Sequence, residues 1–241
     1  MDKIIREIKE AEMITAFTGA GMSVESGVAP FRGEDGLWNE FDPQEFASVS
    51  AFAEEPERCW KLFKIQIEES FKSEPHQGHE ALVELEDHGL NSVITQNIDG
   101  LHQKAGSDNV LELHGSLDRL ICSSCKNIFK TEKFWDRIKA GGIPKCDCTK
   151  ILKPDVVLFG EALPQSTLQQ AWNEAENCDM MFSLGTSAVV QPAASIPKMA
   201  KRSGAKIVEI NLEKTPLTEK VSDHFLKGKV GEKLPKLISR L

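Results

Sequence analysis

The residues whose types and spacing speak most directly of chemistry are two close cysteine pairs, Cys122-x-x-Cys125 and Cys146-x-Cys148. Four thiolates grouped this way suit a closed tetrahedral zinc site, which holds structure and leaves no position open for a substrate. Cys59 and Cys178 stand apart from them. The opening MDKIIREIKEAEM mixes acids with bases and has no unbroken apolar stretch, so a secretory signal is not expected. Without one, clustered cysteines read as metal ligands rather than a disulfide framework, and a cytoplasmic location is expected.

A second constellation is TGAGMSVESGVAPFRG, residues 18–33. Its small residues allow a backbone to come close to something. It lies between an apolar strand and a helical pattern, where N–H groups and a helix N-terminus cradle a pyrophosphate. Gly19-Ala20-Gly21 would form that cradle; a plain tight turn is the simpler alternative. Val24 stands where a third fingerprint glycine belongs, and no second strand ends in an acid about 20 residues on. A dinucleotide site is expected, but not one built for ordinary hydride transfer.

These residues need a scaffold. A chain of 241 residues, 40% apolar and 27% charged, suffices for one large α/β domain with a smaller insert. No apolar run reaches the ~20 residues of a membrane helix. A net charge of −8 disfavours a nucleic-acid-binding surface. Strands are expected at MITAF, SVIT (92–95), VLEL (110–113), DVVLF (155–159), MMFSL (180–184) and KIVEI (206–210). Helical patterns fall at 2–12, where Ile4, Ile5, Ile8 and Ala11 share a face, and at GHEALVELEDHG, LPQSTLQQAWNEAEN, AASIPKMAKRSG and GEKLPKLISRL. Such alternation predicts the α/β class, a Rossmann-like, mainly parallel sheet with helices on both faces. The large domain is expected to comprise 1–35, 77–117 and 152–241. A helical insert at 36–76 and a zinc-ribbon insert at 118–151 would form a small lobe.

Further short motifs follow in a fixed order. Gly19-Ala20-Gly21-x-Ser23-x-x-Ser26-Gly27 precedes Phe31-Arg32, then come TQNID (Thr95 to Asp99), His114-Gly115 and the cysteine pairs. FGE (Phe159 to Glu161), GTS (Gly185 to Ser187) and Asn211 in NLEKT complete the series. Together they resemble the sirtuins, the NAD-dependent protein lysine deacylases, over residues 14–234. The resemblance implies an enzyme that consumes NAD. Nicotinamide leaves, the acyl oxygen of an acyl-lysine attacks the exposed ribose carbon, and a base removes a ribose hydroxyl proton. The acyl group then migrates to the sugar.

On that resemblance His114 is the base, a role that suits an imidazole titrating near neutrality. A lone histidine at a strand end is otherwise more often a satisfied core residue, and His76, His79, His88, His102 and His224 are expected to be structural. Asn97 and Asp99 join His114 as catalytic residues, and with Gln96 they contact the ribose and nicotinamide. Gly19, Ala20, Gly21 and Ser23 admit the pyrophosphate, Phe31 covers the ribose face, and Arg32 lies near the phosphates. Gly185, Thr186 and Ser187 take the adenosine side, Asn211 and Leu212 the adenine ribose, and Val230 the adenine through its backbone. Two departures stand out: C-x-C replaces C-x-x-C in the second cysteine pair, and Val28-Ala29-Pro30 replaces Ile-Pro-Asp or Ile-Pro-Thr.

The resemblance also lays a peptide between VVLFGE (156–161) and AVVQPA (188–193), paired through main-chain atoms. Proteins carrying acyl-lysine are the expected partners. Val157, Phe159, Gly160, Glu161 and Val189 belong to those segments, with Val157 and Phe159 lining an acyl channel opposite Phe31. Sirtuins that remove succinyl or malonyl groups carry Tyr-x-x-Arg in the helix before EP…GH. The match places Phe63 and Gln66 there, and the chain has no tyrosine. An uncharged acyl group is expected. Two other readings stay open: a mono-ADP-ribosyltransferase using the same NAD site, and a module that binds acyl-lysine or nucleotide without turnover. The set Asn97, Asp99 and His114 speaks for an enzyme.

Overall fold

The structure is a computed structural model that describes residues 1–34 and 36–241; Asp35, at the expected edge of the helical insert, lies outside the described residues. Among the described residues nine strands form two sheets: β1 (Ile14–Thr18), β2 (Leu90–Thr95), β3 (Val110–Glu112), β4 (Gly115–Cys122), β5 (Ile128–Lys130), β6 (Leu152–Val156), β7 (Met180–Leu184), β8 (Lys206–Asn211) and β9 (His224–Lys227). The larger sheet is parallel in the order β3-β2-β1-β7-β8-β9. Chain order reverses between β1 and β7, and at such a switch point ligands bind beyond the carboxyl ends of the strands.

Period-2 alternation places side chains on both faces of this sheet. Ile14, Ala16, Phe182, Val208 and Ile210 face the helices Asp2–Glu10, Gln77–Glu86 and Val230–Ile238. Phe17, Ile94, Met181 and Ile207 face the helices Gln165–Asn177 and Ile196–Arg202. Both faces are covered, which is why these strands read as nearly unbroken apolar runs.

The smaller sheet is antiparallel in the order β5-β4-β6, and the helix Pro56–Lys72 packs Cys59, Trp60, Phe63 and Ile67 against Leu117, Leu120 and Leu152. Trp60 Nε1 donates to the Leu152 carbonyl at 3.1 Å. Here the structure departs from the sequence pattern. The apolar run 155–159 contributes only Asp155 and Val156 to a strand, and that strand belongs to the small sheet. The sheet thus extends beyond 118–151 on both sides. Pro154 is tolerated because β6 is an edge strand. β4, eight residues long, and the short β5 and β9 carried no clear alternation to find.

A second departure concerns the glycine loop. No α-helix follows β1; two 3₁₀ turns, Ala20–Met22 and Val24–Ser26, take its place. The anion-binding helix N-terminus read from the sequence is therefore absent from this loop. No helix among the described residues is long and apolar enough to cross a membrane.

Candidate active site

The small residues of the glycine loop admit another piece of protein. A Cβ on Gly21 would lie 2.7 Å from the Gly185 carbonyl oxygen, and one on Gly19 would lie 2.7 Å from Thr186 Cβ. The loops after β1 and β7 are thus pressed together, with Gly21 N–H donating to the Gly185 carbonyl at 2.8 Å. Gly185 sits at φ +55°, in the left-handed region.

Gln96 ties three of these loops. Its Nε2 donates to the Thr18 carbonyl at 3.1 Å and to Thr186 Oγ1 at 2.9 Å. Its own carbonyl lies 2.9 Å from His114 Nδ1. Asn97 is buried and donates from Nδ2 to the Gly19 carbonyl (3.1 Å) and to Ser23 Oγ (3.0 Å). Ser23 Oγ in turn donates to Asp99 Oδ2 at 2.7 Å, while Asp99 Oδ1 accepts the Leu101 N–H at 3.0 Å. Burial pushes the Asp99 carboxyl above the usual range, against those hydrogen bonds.

Beside this network lies a cavity lined by Ala20, Phe31, Gln66, Glu69, Asn97 and Asp99, among others. Gln66 therefore stands with Asn97 and Asp99 on the wall of this cavity. Phe63 is not brought to it: it is 1% exposed and packs on Trp60 at 5.7 Å in the small-lobe core. Ser70 Oγ, from the same helix, donates to the Asp99 carbonyl at 2.8 Å.

His114 is half-buried in the turn that joins β3 to β4, and its carbonyl accepts Val157 N–H at 2.9 Å. A carbonyl oxygen only accepts, so Nδ1 facing Gln96 carries the hydrogen and Nε2 keeps its lone pair. Burial lowers the pKa of this ring, with the Gln96 hydrogen bond opposing.

Phe31 stacks on Trp38 at 5.2 Å between ring centroids, and Trp38 meets Phe159 edge-on at 5.9 Å. Arg32 is exposed beside them. Trp38, Glu69 and Ser70 were missed in the sequence, where nothing periodic marks them. Phe159 is held on both sides: its N–H donates to the Ala47 carbonyl at 2.8 Å and its carbonyl accepts Val49 N–H at 3.0 Å. Glu161 accepts Leu158 N–H and Lys153 Nζ, both at 2.9 Å, and so pins the turn containing Gly160. Val157 packs against the large-sheet core. Val189 is exposed, and Ala188 before it adopts φ +49° with its N–H on Thr186 Oγ1. Ser187 is exposed. Asn211 Nδ2 donates to the Thr186 carbonyl at 2.9 Å, Leu212 is exposed, and Val230 opens the last helix, buried.

The cysteine sulfurs of Cys122, Cys125, Cys146 and Cys148 all lie within 4.8 Å of one another. Cys122 and Cys148 are 3.5 Å apart, as are Cys125 and Cys146. Four sulfurs bound to one zinc at about 2.3 Å stand about 3.8 Å apart, so this donor set fits the ion. The shortened second pair is accommodated by Thr149 at φ +70°, as Lys126 at φ +61° turns the chain after the first.

The glycine loop, Asn97, Asp99 and the half-buried His114 thus converge at the switch point of a parallel sheet, beside a four-cysteine lobe. The model of the Sir2 family matches residues 19–192. The chain belongs to the Sir2 family. An NAD-dependent protein deacylase 1 of Archaeoglobus fulgidus is 47% identical over 98% of this chain and 96% of its own. A solved Sir2 homolog–NAD complex superposes with a TM-score of 0.91 at 44% identity, covering 100% of this chain and 93% of the other. A solved Sir2–p53 peptide–NAD+ complex does so with a TM-score of 0.91 at 33% identity, covering 100% and 98%.

Proposed function

We propose that this Sir2-family protein is an NAD-dependent protein lysine deacylase that removes an uncharged acyl group, releasing nicotinamide and an O-acyl-ADP-ribose. One observation carries the assignment of roles: the Gln96 carbonyl fixes His114 with Nδ1–H, leaving Nε2 as a neutral base. In this reading NAD, as co-substrate, lays its nicotinamide in the cavity lined by Asn97 and Asp99. The nicotinamide–ribose bond breaks with its electrons going to the leaving nicotinamide, and the acyl oxygen bonds to the ribose carbon. His114 Nε2 then takes a ribose hydroxyl proton, that oxygen attacks the acyl carbon, and the lysine amine leaves with a proton. One water adds to the acyl carbon bridging the two ribose oxygens and opens it to O-acyl-ADP-ribose. The Phe31–Trp38–Phe159 aromatic group would keep water from the exposed carbon. A zinc ion at the four cysteines would supply structure only.

The uncharged acyl group is supported by Gln66, which lines the cavity and offers no guanidinium. The Archaeoglobus fulgidus relative, an NAD-dependent protein deacylase, points the same way as the site. The test is an acyl-lysine peptide with NAD and purified protein, products followed by mass spectrometry. Acetyl-lysine peptide should yield deacylated peptide, nicotinamide and O-acetyl-ADP-ribose, and His114→Ala should lower turnover by roughly 10²–10⁴-fold. Modification of protein by ADP-ribose without deacylation would sink the reading. A succinyl peptide turned over as well as an acetyl one would sink the uncharged acyl group.

A further inference from the structure

The segment 156–161, on which the deacylase reading lays the acyl peptide, is tied to a buried lysine on the strand that leads into it. Lys153 lies on the edge strand β6 and is 9% exposed. Its Nζ donates to the Val156 carbonyl at 2.6 Å and to Glu161 Oε2 at 2.9 Å. The same Oε2 accepts the Leu158 N–H at 2.9 Å, and the Glu161 N–H donates to the Leu158 carbonyl at 2.9 Å. Glu161 therefore closes the turn 158–161 twice, once through its backbone and once through its carboxylate. Gly160 stands at the corner with φ +92°.

Packing alone does not hold this turn. Glu161 is exposed, and a groove of about 540 Å³ opens beside the segment, lined by Lys153, Val156, Val157 and Glu161 among others. Among the described residues Lys153 is the one cation within ion-pair distance of Glu161. The two partners are unequally placed: the Lys153 side chain is 11% exposed and that of Glu161 33%. Glu161 could turn out into water, but Lys153 could not follow. An unpaired buried charge is costly, so the lysine holds the carboxylate in and with it the turn.

We propose that Lys153 is a positioning residue for the acyl peptide: acting through Glu161, it sets the main chain of 157–160 in place before the peptide arrives. Without it the turn becomes ordered only on binding, and that ordering weakens the peptide and not the nucleotide. The effect on turnover rests on the deacylase reading, whereas the hold on the turn does not.

The test compares Lys153→Met, which keeps an unbranched apolar stem without the amine, with Lys153→Arg, which restores a cationic donor. In the free protein, amide hydrogen exchange at Leu158 should speed up on the order of tenfold in Lys153→Met, with exchange in β1 and β7 unchanged. The KM for an acetyl-lysine peptide should rise on the order of tenfold, with kcat and the KM for NAD unchanged. Lys153→Arg should recover most of both changes. Unaltered Leu158 exchange, an equal rise in both KM values, a loss confined to kcat, or an Arg variant no better than Met overturns the proposal. If Lys153→Met fails to fold, Glu161→Ala, at an exposed position, should show the same split, and an unchanged peptide KM there overturns it. If the wild type binds the peptide without turning it over, the deacylase reading fails, and the peptide Kd from calorimetry takes the place of KM. If the wild type binds no acyl peptide, both fall, and Leu158 exchange alone reports whether Lys153 holds the turn.

Discussion

At the scale of single residues, His114 shows how a backbone carbonyl selects the tautomer of the proposed base. Gln96 accepts from Nδ1, and that leaves Nε2 unprotonated only while the ring is neutral. Burial lowers the ring's pKa below 6.5, so the neutral form predominates at pH 7 and is lost as pH falls. The kcat/KM profile for acyl peptide should carry an acid limb centred below 6.5. A limb centred at or above 7 would show that another group titrates. The sequence made His114, Asn97 and Asp99 legible because each sits in a short motif whose neighbours recur in a known order. It could not reveal Trp38, Glu69 or the true place of Gln66. Their roles arise from contacts between distant segments, and no local pattern records such contacts.

At the scale of elements, the buried parallel strands were legible and the irregular ones were not. β7 coincides with the run MMFSL, and β1, β2 and β8 differ from their apolar runs by two residues or fewer, because both faces of each strand meet helices. β6 hid its strand behind Lys153 and Pro154, and the helix expected after β1 proved to be two tight turns. The reason for those turns lies across the sheet. Gly185 comes so close that a Cβ there would meet Met22 N at 2.3 Å, while its φ of +55° already disfavours a side chain. Gly185→Ala should cost roughly 3 kcal/mol or more and weaken NAD binding. Gly27→Ala makes a control, since at φ +84° its Cβ would meet nothing within 4 Å. It should cost only about 1 kcal/mol. Urea midpoints separate the two, and equal midpoints would mean that close packing of the loops is not what demands Gly185.

At the scale of the whole molecule, two buried histidines, His79 and His102, make folding sensitive to acid. Burial holds His79 at about 2 and His102 at about 3, with the neighbouring His76 adding repulsion, whereas both return to near 6.5 when the chain unfolds. The folded state then binds fewer protons, so this stabilisation is complete above pH 6.5 and is lost as pH falls below it. Each histidine contributes at most about 1.4 kcal/mol per pH unit in that window. Asp99, Asp118, Glu69 and Glu86 act with the opposite sign, because burial raises their pKa and the folded state holds their protons more tightly. The total slope is therefore a difference, and a variant isolates one part of it. Between pH 6 and pH 5, wild-type unfolding free energy from chemical denaturation should change more steeply than that of His79→Phe, by up to about 1.4 kcal/mol. Parallel slopes would mean that His79 takes up its proton in the folded protein.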